Sequence, residues 1–120
     1  MFTVPDENEE ILIKDWPVII NVPQDGGVVA KHEIRADFAL LPQDKIDEQI
    51  EASRESNGNA DIGILEQVLR KLGGFQDKSG NKLEYSVELQ TRVIKIPYVR
   101  SALVNAYFEA AGGKKAKRKN

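Results

Sequence analysis

The sequence predicts an α+β fold, with a small N-terminal antiparallel β-hairpin or sheet packed on a mostly helical C-terminal portion of about four helices. Three observations carry this reading. Val28, Ala30, His32, Ile34, Ala36 and Phe38 alternate with Val29, Lys31, Glu33, Arg35 and Asp37, the two-residue period of a strand with one buried and one wet face. The Pro23-Gln24-Asp25-Gly26-Gly27 segment before it supplies the glycines that a tight reversal needs. Further on, Ile62, Leu65, Val68, Leu69 and Leu72 recur at helical spacing and share one face.

Taken in order, residues 1–12 hold Asp6, Glu7, Glu9 and Glu10 with little to bury and read as a mobile acidic arm. Residues 16–22 form the first strand, with Val18, Ile20 and Val22 on one side, and residues 28–38 return against it. A first helix over 43–54 has only a narrow stripe of Ile46 and Ile50, with Leu41 beside it, and otherwise charged residues. Its burial is therefore shallow. A polar linker follows, in which Asn59 or Asp61 caps the second helix by accepting its free amides. That helix is expected to pair Glu66 with Arg70 one turn apart and to end at Gly73-Gly74.

Residues 75–81 read as a turn-rich connection, and Ser86 caps a short helix that runs to Ile94. Pro97 then opens the last helix, since proline disfavours helix in the residue before it and fits the first turn after it. On this helix Val99, Ala102, Leu103, Ala106, Tyr107 and Ala110 form one apolar face. Val104, Phe108 and Ala111 form a second beside it. A helix apolar over so much of its circumference exceeds what a short chain can cover, so Val104, Tyr107, Phe108 and Ala111 are the candidate partner-binding residues. Residues 1–113 thus make one domain, and 114–120 a basic disordered tail.

Composition excludes several functions. With 120 residues, 41% hydrophobic and 30% charged, the chain suits one modest core, and no apolar run approaches the roughly 20 residues of a membrane span. There is no cysteine, so no disulfide, thiolate metal site or thiol nucleophile exists. Lys114, Lys115, Lys117, Arg118 and Lys119 lie in the tail. Residues 1–113 therefore carry 12 basic against 19 acidic residues, a net charge of −7 that argues against general nucleic-acid binding. His32, the one histidine, sits on the apolar side of its strand and reads as structural. Asp44, Asp47, Glu48 and Glu51 read as a solvated helix face. Asp77-Lys78-Ser79-Gly80-Asn81 lacks the regular oxygen ligands of a calcium loop and reads as a turn. No catalytic, cofactor-binding or metal-binding residue is assigned, and the chain is expected not to be an enzyme.

The order of these pieces resembles the tail assembly chaperones of long-tailed bacteriophages and prophages, from about Trp16 to the C-terminus. The pieces are a proline-containing hairpin ending Ala36-Asp37-Phe38-Ala39-Leu40-Leu41-Pro42, a charged helix, an amphipathic helix and a Phe-Gln-Asp-Lys-Ser-Gly turn. A helix start at Tyr85-Ser86 with Glu88 and Leu89 follows, then Pro97-Tyr98-Val99, and Ala106-Tyr107-Phe108-Glu109-Ala110-Ala111 before glycine and lysines. Phe75 stands where family members often have tryptophan.

The resemblance implies a non-virion protein of the host bacterial cytoplasm that holds the helical tape measure protein until the tail tube polymerises around it. It also implies a frameshift-extended form reaching the tail tube protein, for which Gly113-Lys114-Lys115 offers a compatible codon context. Self-association into a homo-oligomer is expected, and membrane contact is not. The competing readings are a small nucleic-acid-binding accessory factor acting through the basic tail and a minor structural tail or connector protein.

Overall fold

In the computed structural model, which describes residues 1–117, the alternating segment is a strand, β2 (Val29–Leu40), at the centre of a three-stranded antiparallel sheet. Its first neighbour, β1 (Ile11–Pro23), pairs with it from Ile11 opposite Leu40 to Pro23 opposite Val29, around a tight turn at Asp25–Gly27. The strand starts five residues before Trp16, so Ile11 and Leu12 belong to the sheet and not to the arm. The register shifts between Ile13 and Trp16. Asp15 adopts a positive φ of 56° there, and its N–H donates to Asp37 Oδ1 at 2.8 Å while Arg35 donates to its carbonyl. Such a bulge adds twist to a long ribbon and re-aims its residues.

One face of this sheet contributes Val18, Ile20, Ile34, Ala36 and Phe38 to a single connected core. Helices close it. The helix α1 (Gln43–Glu55) buries only Ile46 and Ser53, as its narrow stripe requires. The helix α2 (Ala60–Val68) buries Ile64, Leu65 and Val68, and the Asn59 side chain accepts from the Ile62 amide at 3.0 Å. After α3 (Val87–Val93), capped by Ser86 Oγ on the Leu89 amide, Pro97 opens α4 (Pro97–Ala111). The carbonyls at the end of α4 are closed by the Gly113 and Lys114 amides, with Gly113 at a φ of 73°. The α+β arrangement read from the sequence is the arrangement found.

Two local expectations are corrected. The second helix does not run on to Leu72. It ends at Val68, and Leu69–Gly73 is a strand, β3, that pairs with β2 at Arg35 to Phe38. Leu69 and Leu72 are buried in either conformation. The free hydrogen-bonding edge of β2, which a helix cannot satisfy, decides for the strand. The Glu66–Arg70 pair is lost with that turn, and Arg70 instead binds Glu10 at 2.8 Å and the Gln67 carbonyl. His32 lies opposite Ile20 in the ladder but is exposed, because the hairpin tip projects beyond the helices. The turn-rich connection contains a small hairpin of its own, β4 (Phe75–Gln76) and β5 (Lys82–Leu83).

Two glycines mark close approaches. A Cβ at Gly63 would meet the Gln49 side chain of α1, which is hydrogen-bonded to the buried Ser53 hydroxyl. Gly74 has a φ of 97°, and a Cβ there would stand 3.2 Å from Ile34 Cα. Gly74→Ala therefore combines left-handed strain with a backbone clash. It is expected to cost about 1–3 kcal/mol, read as a lower urea midpoint with an unchanged denaturant slope.

Candidate functional site

The helix α4 divides into three faces. Val99, Leu103, Ala106, Tyr107 and Ala110 are buried against the sheet and α2. Tyr107 stacks edge-on against Phe38 of β2, with ring centroids 5.6 Å apart at 72°, and its hydroxyl accepts from the Leu41 amide at 3.2 Å. At 1% exposure the Tyr107 side chain has no surface to offer a partner, which corrects its place among the candidate contact residues. The apolar face of the sequence reading is here the internal one.

The second face stands otherwise. Phe108 is 42% exposed, seated edge-on against Tyr107 with centroids 5.2 Å apart, Ala111 is exposed, and Val104 is half-buried against the core. Phe108 is thus an aromatic fixed from beneath by a rigid neighbour, the geometry in which a surface ring loses little freedom on contact. Arg100, half-buried one turn before Val104, stands at the N-terminal end of this flank, and from there to the end of the helix the positions along it are the apolar Val104, Phe108 and Ala111.

A third flank, roughly 110° around the helix from Phe108, Val104 and Ala111, faces the outer edge of β1. Tyr98, Ser101, Ala102, Asn105 and Glu109 line one wall there, and Trp16, Pro17, Ile19 and Asn21 line the other. Together they enclose a groove of about 510 Å³. The turn fixes the phase of the strand, because Gln24 N–H donates to the Val28 carbonyl. Even-numbered residues of β1 therefore exchange hydrogen bonds with β2, while Pro17, Ile19, Asn21 and Pro23 turn their backbone groups outward. Proline is tolerated at 17 and 23 for that reason. The sequence reading missed this groove, although two prolines six residues apart in a strand already signal an open edge.

The tail residues Lys114 and Lys115 are exposed. Lys117 folds back onto Glu109 at 3.0 Å, while Arg118 and Lys119 lie outside the described residues. Among the described residues no group of three or more histidine, aspartate or glutamate side chains is placed to hold a metal ion. No helix there is long and apolar enough to cross a membrane. The carboxylates Asp44, Asp47, Glu48 and Glu51 of α1 are exposed.

The Asp77 loop is the turn between β4 and β5. Its carboxylate accepts the backbone N–H of Asn81 and of Ser79, both at 2.9 Å. These bonds, that of Asn81 first, hold the Asp77 carboxyl below its ordinary value of 3.8 despite the opposing effect of desolvation.

No protein-family model, curated protein or solved structure matches this chain.

Two predictions follow from these contacts. Tyr107→Phe leaves the Leu41 amide without its partner. It is expected to cost about 1–2 kcal/mol, with faster hydrogen exchange at Leu41 as the local readout. For Asp77, a depressed folded value means the contribution is complete above the ordinary carboxylate value and is lost as pH falls through the lower folded one. Exchange protection of the Ser79 and Asn81 amides, corrected for intrinsic pH dependence, is expected to hold at neutral pH and fall only in that acidic window. In Asp77→Ala it is expected to be low throughout.

Proposed function

We propose that this chain is a non-catalytic assembly chaperone of long-tailed phage or prophage tails. It self-associates in the host bacterial cytoplasm, holds an apolar helix of the tape measure protein until the tail tube forms, and does not enter the virion. The observation that carries this is the exposed flank of α4, where Phe108 stands on the sealed Tyr107 with Ala111 and Val104 beside it. A helix laid along that flank buries aliphatic and aromatic surface at roughly 25 cal/mol per Å² without requiring charge complementarity. The order of motifs from Trp16 onward supports the choice of client. The tail tube protein is the second partner, reached through an extended form of the chain. The acidic body, net −7 over residues 1–113, keeps the unbound pool soluble and disfavours nucleic acid.

The test is retention of tape measure fragments by the full chain. Phe108→Asp with Ala111→Asp places two charges on the exposed flank and is expected to abolish retention. Stability should stay within about 1 kcal/mol of the parent, because neither side chain is part of the core. Salt should leave binding by the parent chain largely unchanged. Retention that survives the double substitution, or that vanishes at moderate salt, ends this reading. So does recovery of the protein in purified virions.

A further inference from the structure

We propose that the groove between the open edge of β1 and α4 receives the N-terminal arm of a second copy of this chain as an added strand. This rests on the self-association proposed above and gives it a surface. The free edge of β1 offers the N–H groups of Ile19 and Asn21 and the carbonyls of Pro17, Ile19 and Asn21, all turned away from β2. Edge strands with unpaired groups accept extended segments. When a helix runs beside the edge, alternate side chains of the incoming strand pack between the two elements.

Dimensions match. From Tyr98 to Glu109 the α4 wall spans roughly 16 Å at 1.5 Å per residue, and from Trp16 to Asn21 the β1 wall spans about the same at 3.3 Å per residue. The groove therefore takes an extended segment of about five residues. Phe2 to Asp6 of the arm is such a segment, and its apolar side chains lack cover, with Phe2 at 84% and Val4 at 77% exposure. In an extended strand Phe2 and Val4 point to the same side, the side that would enter between Trp16, Val18, Tyr98 and Ala102.

Charge agrees with the fit. Tyr98 adjoins Ile20 and Val22, whereas Tyr107 packs on Phe38, which is paired with Ile13, so α4 runs from the tip of the hairpin toward its base. Lys31, opposite Asn21, therefore stands at one end of the groove and Lys117 at the other, and Lys114 and Lys115 precede the latter. Lys117 is taken up by Glu109 at 3.0 Å, so the acidic residues that follow the apolar part of the arm, Asp6, Glu7 and Glu9, meet Lys31 at one end or Lys114 and Lys115 beyond that pair at the other.

The experiment is sedimentation of the full chain over a wide concentration range. It is run beside Phe2→Asp/Val4→Asp, which alters only exposed arm residues, and Ala102→Arg, which fills the groove from the α4 wall. The parent is expected to associate reversibly, and each variant to raise the dissociation constant by about tenfold or more. Combining the variants should add little further. Because the chain has no cysteine, Thr3→Cys and Asn21→Cys on separate copies, both on the sheet face away from α4, report the contact directly, and their oxidised mixture should give a linked pair. Association that persists unchanged in both variants overturns the groove and leaves self-association standing. A parent that stays monomeric overturns both. A bond that forms only within one chain carrying both cysteines places the arm in its own groove and overturns the second copy as occupant.

Discussion

The contact of Tyr107 with Phe38, together with the Tyr107 hydroxyl held by the Leu41 amide, sets the rotation of the last helix against the sheet. The two ends of this contact are 66 residues apart in sequence, so it closes the chain on itself late and fixes α4 at both ends of one ring. A buried hydroxyl must find a partner, and only one rotation of α4 brings it to Leu41. That rotation then dictates everything on the outside of the helix. It places Phe108, Val104 and Ala111 on one flank and Ser101, Ala102 and Asn105 on the other. The character of both surfaces is a consequence of how the interior is satisfied.

The sheet imposes the second constraint. Three strands with helices on one face leave two edges, and the two are handled differently. On the β3 side the edge strand is short, Leu69–Gly73, and the chain leaves it through the left-handed Gly74. On the β1 side the edge strand is 13 residues long and interrupted by a bulge and two prolines. The bulge is stabilised by Asp37 and Arg35, and the prolines remove outward donors at 17 and 23. Together these leave a short window of usable edge between them. A window of that size suits one short strand and resists open-ended sheet growth, the usual hazard of a long free edge.

Much of this was legible in the residues, for identifiable reasons. The alternation through Ile34, Ala36 and Phe38, the Asn59 and Ser86 caps and the Pro97 start are local signals, and each sits where local chemistry puts it. Leu69 to Leu72 was not legible. Two leucines three apart with Arg70 and Lys71 between them satisfy a helix face and a strand alike, and the choice belongs to β2, more than 30 positions earlier. Tyr107 failed as a surface candidate for a similar reason. Helical spacing places it between the buried Leu103 and the exposed Ala111, and only the position of Leu41 decides which neighbour it follows inward. The exposed state of His32 reflects the length of the hairpin relative to the helices, a global dimension that alternation does not encode.

The two outer flanks of α4 lie on opposite sides of its buried face, each roughly 125° from the centre of that face. The proposed arm is centred on Tyr98, Ala102 and Asn105, and the proposed client helix on Val104, Phe108 and Ala111, so the two proposed contacts have different centres roughly 110° apart on α4. Under the proposed function, each added copy would contribute another Phe108 flank, so that effective concentration, and not a stronger single contact, would lengthen the hold on an extended client. One valine and one alanine beside a single phenylalanine make a weak site alone, which is why the proposed function needs the proposed self-association.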